Sequence, residues 1–119
     1  FAPMVCDFPQ GMVVTVPLHL DLMTGKQSLA SLRALYHDFY AGARFVTVRP
    51  PDAPACGFIG SNNLAGTNDL QIFVCGSEEQ VLLAARLDNL GKGASGAAVQ
   101  NMNIMLGFPE EAGLTDKEN

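Results

Sequence analysis

Three glycines, Gly91, Gly93 and Gly96, stand at the G-x-G-x-x-G spacing inside a run from Leu87 to Asn103. After a strand and before a helix, that spacing lets the backbone approach the pyrophosphate of a dinucleotide. Cys6, Cys56 and Cys75 are the candidate nucleophiles, and His19 and His37 the candidate bases. Asn68, in Gly66-Thr67-Asn68, is a candidate polar contact.

The glycine spacing does not carry its usual meaning here. A dinucleotide fingerprint belongs to a strand–helix–strand unit with an acidic residue about 20 positions further on, at the end of a second strand. Here the helix runs into the last dozen residues with no second strand after it, and Asp116, at the right separation, falls in a charged stretch. The small residues of 91–98 instead predict a turn and helix start that another backbone or a flat ligand approaches closely. Two readings follow: packing within the chain, or a helix start whose Gly96, Gln100 and Asn103 face meets something outside it.

The cysteines are odd in number, widely spaced and without a C-x-x-C pair. That pattern fits reduced thiols, not a zinc site. Cys75 falls on a predicted strand, Cys56 in a loop, and Cys6 stands beside Asp7 instead of a cation. His19 sits on a strand and His37 on a helix flank, neither near a cysteine in sequence. The residues therefore show no nucleophile–base pair.

The elements that must position these residues come from a chain of 119 residues, 48% hydrophobic and 16% charged, enough for one domain with a core. A net charge of −5 with seven Lys and Arg argues against a nucleic-acid surface. No apolar run reaches the roughly 18 residues of a membrane span, and a signal-peptide pattern is absent; the expected location is cytoplasmic. Phe1 opens in an apolar, strand-like context, which predicts a piece of a longer protein.

A strand is predicted over 10–20, with Pro17 placing it near an edge or bulge. Ser28 predicts a helix N-cap. Leu29, Leu32, Leu35, Tyr36 and Phe39 then make one helical stripe, which Gly42 ends. Residues 44–49 read as a strand, 50–54 as a proline-broken loop and 61–68 as a polar loop. Residues 70–75 and 80–87 read as strands joined by a short hairpin turn. The last helix spans about 94–106, with Ala94, Ala98, Val99, Met102, Met105 and Leu106 on one broad face. The order predicts an α+β fold: an antiparallel or mixed sheet with helices on one face. The expected boundaries are a domain over 1–109 and a frayed acidic tail over 110–119.

The run from Asp88 to Asn103 closely resembles the C-terminal signature of the N-acetyl-gamma-glutamyl-phosphate reductase family. Residues 10–14, 41–46, 66–70 and 79–89 resemble the same family, so the likeness covers nearly the whole chain. The related aspartate-semialdehyde dehydrogenases share an Asn-Leu-x-x-Gly-Ala-Ala stretch but have Asn where this chain has Ala97. The resemblance implies the C-terminal, substrate and dimerisation domain of a glyceraldehyde-3-phosphate-dehydrogenase-like enzyme. It implies NADP as cofactor, held mainly by an N-terminal dinucleotide-binding domain of the same chain, and a homo-oligomer, dimer or tetramer. It places the catalytic cysteine and histidine upstream of Phe1, and none of the three cysteines here matches the family's motif. Gly93, Gly96, Gln100 and Asn101 are the implied cofactor-side contacts, and Asn68 the implied substrate-side contact. The competing expectation is a stand-alone module that dimerises through its sheet.

Overall fold

The computed structural model describes residues 1–50 and 57–116. The loop expected at 50–54 lies mostly outside those residues, as does Cys56. Four strands form one mixed sheet in the order β1-β4-β3-β2. They are β1 (Met12–Leu18), β2 (Val46–Val48), β3 (Leu70–Gly76) and β4 (Val81–Leu87). β4 pairs antiparallel with both β1 and β3, while β2 pairs parallel with β3.

Pro17 lies in an edge strand, where a missing N–H interrupts no central ladder. Residues 1–5, expected to be strand-like, are exposed coil, and β1 begins only at Met12.

Helix α1 (Leu29–Phe39) starts as its capping residues require. The Ser28 hydroxyl accepts from the Ser31 N–H, and the Ser31 hydroxyl accepts from the Ser28 N–H, so two otherwise orphaned donors are satisfied. Leu29 and Leu32 bury against Val74 and Val81, with Tyr36, Leu18 and Leu83 around them. The stripe is only half used. Leu35 and Phe39 remain exposed, Phe39 at 76%, while Tyr36 between them packs against the core.

The register sets which residues share a face. Val14 and Val16 of β1 stand opposite Ala85 and Leu83 of β4, on the face that α1 partly covers. α1 reaches over β3, the start of β4 and Leu18 at the end of β1, while Val14 and Val16 are left exposed. The opposite face carries Phe73 and Ala84, both buried, and Arg86, whose guanidinium lies 5.3 Å from the Phe73 ring centroid. Arg86 also donates to the Gly60 carbonyl, at 3.0 Å, and to Gln71 Oε1. Burial first, and then the charge of Arg49, lower its pKa from the ordinary arginine value.

After β4 the chain turns through Asp88, Asn89 and Leu90, makes one π-helical turn (Gly91–Ser95) and continues as α2 (Gly96–Leu106). No helix among the described residues is long and apolar enough to cross a membrane. Because Leu32 is only 2% exposed at the centre of the α1–sheet contact, Leu32→Ala is expected to cost about 2–5 kcal/mol. Leu35→Ala, on the uncovered half of the stripe, is expected to cost well under about 1 kcal/mol in the same chain. Urea unfolding of the two variants checks the contrast.

Candidate functional site

The stretch between β4 and α2 is organised by Asp88, whose side chain is 2% exposed. A carboxylate only accepts, so a buried one needs donors from its surroundings. Asp88 Oδ2 accepts from the Gly66 N–H at 2.6 Å and from Gln10 Nε2 at 3.0 Å. Oδ1 accepts from the Leu90 N–H at 2.9 Å. Burial pushes the carboxyl pKa up, but backbone N–H groups of Leu90, Gly66 and Gly91 outweigh it and hold the pKa below 3.8, the ordinary value. Next to it, Asn89 Oδ1 accepts from the Gly11 N–H at 2.7 Å. Two adjacent side chains thus tie the start of β1 and the 61–68 loop to one turn.

The glycines are close-approach positions. A Cβ on Gly91 would sit 2.7 Å from the Thr67 carbonyl oxygen. One on Gly96 would overlap Asn68 Oδ1 and stand 2.9 Å from the Gly91 carbonyl. The turn also spends several of its N–H groups within the chain. A helix start normally leaves its first N–H groups free, but here the Gly93 N–H donates to the Asp88 carbonyl at 2.8 Å. The Ser95 N–H donates to Leu90 O, and the Gly96 N–H to Gly91 O. The π turn takes up donors that an anion would use.

A second hub centres on Gln100. Its Oε1 accepts from Asn68 Nδ2 at 2.9 Å and from Lys92 Nζ at 2.5 Å, and its Nε2 donates to Glu110 Oε1 at 2.6 Å. Lys92 can only donate and the ionised Glu110 carboxylate can only accept, so between them they fix which way the Gln100 amide points. That in turn makes Asn68 present its NH2 to Gln100 and leaves Asn68 Oδ1 buried without a donor among the described residues. Lys92 Nζ lies 5.5 Å from the centroid of the buried Phe45 ring. Burial lowers the Lys92 pKa, partly offset by Glu110 and Asp69.

These bonds decide between the two readings of the α2 face, in favour of packing within the chain, and correct one expectation about the tail. The Gly96, Gln100 and Asn103 face does not point away from the chain. Gly96 and Asn103 are buried, and Asn103 Nδ2 donates to the carbonyls of Glu110 and Ala112. The broad apolar face of α2 points outward instead, with Met105 84% exposed and Met102 and Leu106 also exposed. The acidic tail is likewise not frayed over 110–116. The Asn68 N–H donates to the Thr115 carbonyl at 2.7 Å, and Asp116 pairs with Arg44.

Of the residues singled out from sequence, the structure brings Asn68, Gly96 and Gln100 together in the interior. Gly93 and Asn101 stand on the outer surface. Cys6 is exposed in the leading coil, and Cys75 is half-buried in β3. His19 and His37 lie outside both hubs, and both are exposed. Asp88, Asn89 and Glu110 were not identified as site residues. An Asp-Asn pair ending a strand before glycine is a turn-forming signal that points to the first two. No local pattern marks Glu110, whose partner is ten residues away.

With this geometry in place, the class follows. The chain belongs to the semialdehyde dehydrogenase dimerisation-domain family, whose model matches residues 1–89. It is 48% identical over 96% of its length to N-acetyl-gamma-glutamyl-phosphate reductase 2 of Nostoc sp.. It is 51% identical over 90% of its length to the N-acetyl-gamma-glutamyl-phosphate reductases of Brucella ovis and Brucella canis. The chain spans a little over a third of those relatives, 37% of the first and 36% of the other two.

Asp88→Asn keeps the shape but turns an NH2 toward other donors, and is expected to cost about 1–3 kcal/mol. Since the folded pKa lies below 3.8, the carboxylate stabilises the fold at pH values above that figure. This contribution disappears as pH falls through the folded pKa. Thermal unfolding followed against pH should show a shallower acid limb in D88N. Gly96→Ala is a second probe. Alanine is favoured by about 1 kcal/mol in a helix interior, so a measured loss of about 1–3 kcal/mol reports the clash with Asn68 and Gly91.

Proposed function

We propose that this chain is the subunit-pairing and cofactor-covering part of an NADP-dependent N-acetyl-gamma-glutamyl-phosphate reductase, acting in arginine biosynthesis. The observation that carries the reading is the roughly half identity, over nine-tenths or more of the chain, to reductases of that name. In this reading the remainder of the protein supplies the dinucleotide-binding domain, the nucleophilic cysteine and the acid/base histidine. When bound, NADPH supplies the hydride that reduces the acyl group.

The chain's own contribution is positional. Its turn uses the Gly93, Ser95 and Gly96 N–H groups within the chain, so it suits the nicotinamide end of the cofactor better than the phosphates. Gly93 and Ala94 present a surface without bulk, and Asn101, seven residues after Ala94, returns to the same side of the helix with an exposed carboxamide. Gly93 and Asn101 make the contact, while Gly96, Gln100 and Asn68 hold the turn in place from behind. Asn68 therefore acts on substrate through the turn it fixes, since its own side chain is enclosed.

The exposed apolar surfaces divide between two partners. Val14 and Val16, with Leu83 and Ala85 beside them, face a second subunit. Met102, Met105 and Leu106 face the dinucleotide-binding domain. Association in a reducing, aqueous compartment such as the cytoplasm fits the reduced cysteines and the absence of a spanning helix among the described residues.

In the full-length protein, Val16→Asp should shift the oligomer toward smaller species by light scattering. Met105→Glu should leave the oligomer intact and raise the KM for NADPH roughly tenfold, the effect of about 1.4 kcal/mol of lost contact. Dissociation by Met105→Glu with no effect of Val16→Asp would reverse the assignment. The chain on its own should show no NADPH oxidation with acyl phosphate, and measurable turnover would overturn the reading.

A further inference from the structure

Asn68 and Gln100 end in the same group, a carboxamide, and they meet side chain to side chain, with Asn68 Nδ2 donating to Gln100 Oε1 at 2.9 Å. A pair of carboxamides can meet in two ways. Each offers one carbonyl oxygen and one NH2, so either partner can be the donor. Turning both groups over exchanges the roles and keeps the bond between them. The choice of orientation therefore falls to the groups around the pair.

Here the choice is made by two side chains of opposite charge. Lys92 Nζ only donates and holds Gln100 Oε1 at 2.5 Å; Glu110 Oε1 accepts from Gln100 Nε2 at 2.6 Å. A turned Gln100 would set its NH2 against the ammonium and its oxygen against the carboxylate, so either charge alone opposes the change. Glu110 is brought to this point by its own backbone. Asn103 Nδ2 donates to the carbonyls of Glu110 and Ala112, at 3.0 and 2.9 Å, and the Asn68 N–H holds the Thr115 carbonyl further along.

The chosen orientation reaches the turn. Asn68 Oδ1 is the nearest atom to the point where a Gly96 Cβ would stand, and the Gly91 carbonyl oxygen lies 2.9 Å from that point. Two oxygens thus flank the Gly96 Cα. A turned Asn68 would bring its NH2 there instead, beside a carbonyl that accepts from the Gly96 N–H and has a second lone pair to offer. That new bond would draw Asn68 toward Gly91 and shift the π turn.

We propose that Lys92 and Glu110 are positioning residues for the cofactor contact. Together they hold the Gln100–Asn68 pair in one of its two orientations, and that orientation sets the 91–96 turn against the nicotinamide. This role holds for a turn whose Gly93 and Asn101 meet the cofactor, and so depends on that reading. The 110–116 segment becomes a strap whose first residue steers the turn through Gln100.

The test uses the full-length protein with isotope-labelled asparagine side chains. Without cofactor, the Asn68 NH2 should show nuclear Overhauser contacts to the Gln100 side chain. Lys92→Met and Glu110→Gln should each keep that pattern, because one charge remains. The double variant should replace it with contacts to the Gly96 Hα. It should also raise the KM for NADPH at least about tenfold beyond the product of the two single effects, with a smaller change in kcat. Adding Gln100→Glu to the double variant removes the NH2 that could turn, so Asn68 must donate again and the KM should fall back. A turn that was merely destabilised would not recover. An unchanged Asn68 pattern in the double variant, or single effects on KM that simply multiply, would overturn the role. Asn101→Ala separates this from the cofactor reading. An unchanged KM for NADPH in that variant overturns the cofactor contact itself. A raised KM there, with no coupling between Lys92 and Glu110, overturns only the positioning role.

Discussion

The structure depends on one buried carboxylate. Asp88 cannot be placed in the interior without donors, since an uncompensated buried charge costs several kcal/mol. Its donors come from Gln10, Gly66 and Leu90, which are separated in sequence by up to 80 positions. The start of β1, the loop before β3 and the turn after β4 must all arrive before the carboxylate is satisfied. Their meeting is therefore cooperative. With any one absent, the other two face a poorly paired charge instead of a partly formed site.

That constraint explains why the glycines lie where they do. Once Asp88 draws the 61–68 loop against the turn, Thr67 and Asn68 press on the backbone at Gly91 and Gly96. A side chain at either position would push the loop away from the carboxylate. The same proximity brings Asn68 within reach of Gln100, whose amide orientation is set by Lys92 on one side and Glu110 on the other. One acidic residue at a strand end thus determines the small-residue pattern after it, and the small residues allow the second hub.

Much of the fold was legible in the sequence because it follows period and capping. The Ser28 start, the edge placement of Pro17 and the 70–87 hairpin each rest on a local rule, and each is present. The parallel pairing of β2 with β3 was left open, since an alternating strand looks the same whichever way its neighbour runs. The orientation of α2 was left open between two readings, for a physical reason. An apolar count predicts the buried face when burial is driven by hydrophobic area, but here the inward face is chosen by hydrogen bonds. Asn103 must reach the carbonyls of Glu110 and Ala112, and Gln100 must reach Asn68. The tail misled in the same way: its acidic side chains suggest solvent, while its backbone is what the interior holds. The Gly96 and Gln100 neighbourhood was identified from sequence, but Asp88 was not, because its donors are distant in sequence.

The two faces of α2 together carry the functional argument. Turning Asn103 and Gln100 inward leaves Met102, Met105 and Leu106 in water, an arrangement that an isolated domain gains nothing from. It becomes favourable when a further apolar surface covers the outer face, since burying a side chain of this size contributes about 1.5–3 kcal/mol. The inner polar bonds then serve the outer contact. They fix the helix against the sheet so that Gly93 and Asn101 are presented at a set height and angle. Under the proposed function, a cofactor would meet a surface on which the Gly93, Ser95 and Gly96 N–H groups already have partners, and would be read largely by shape and by one carboxamide.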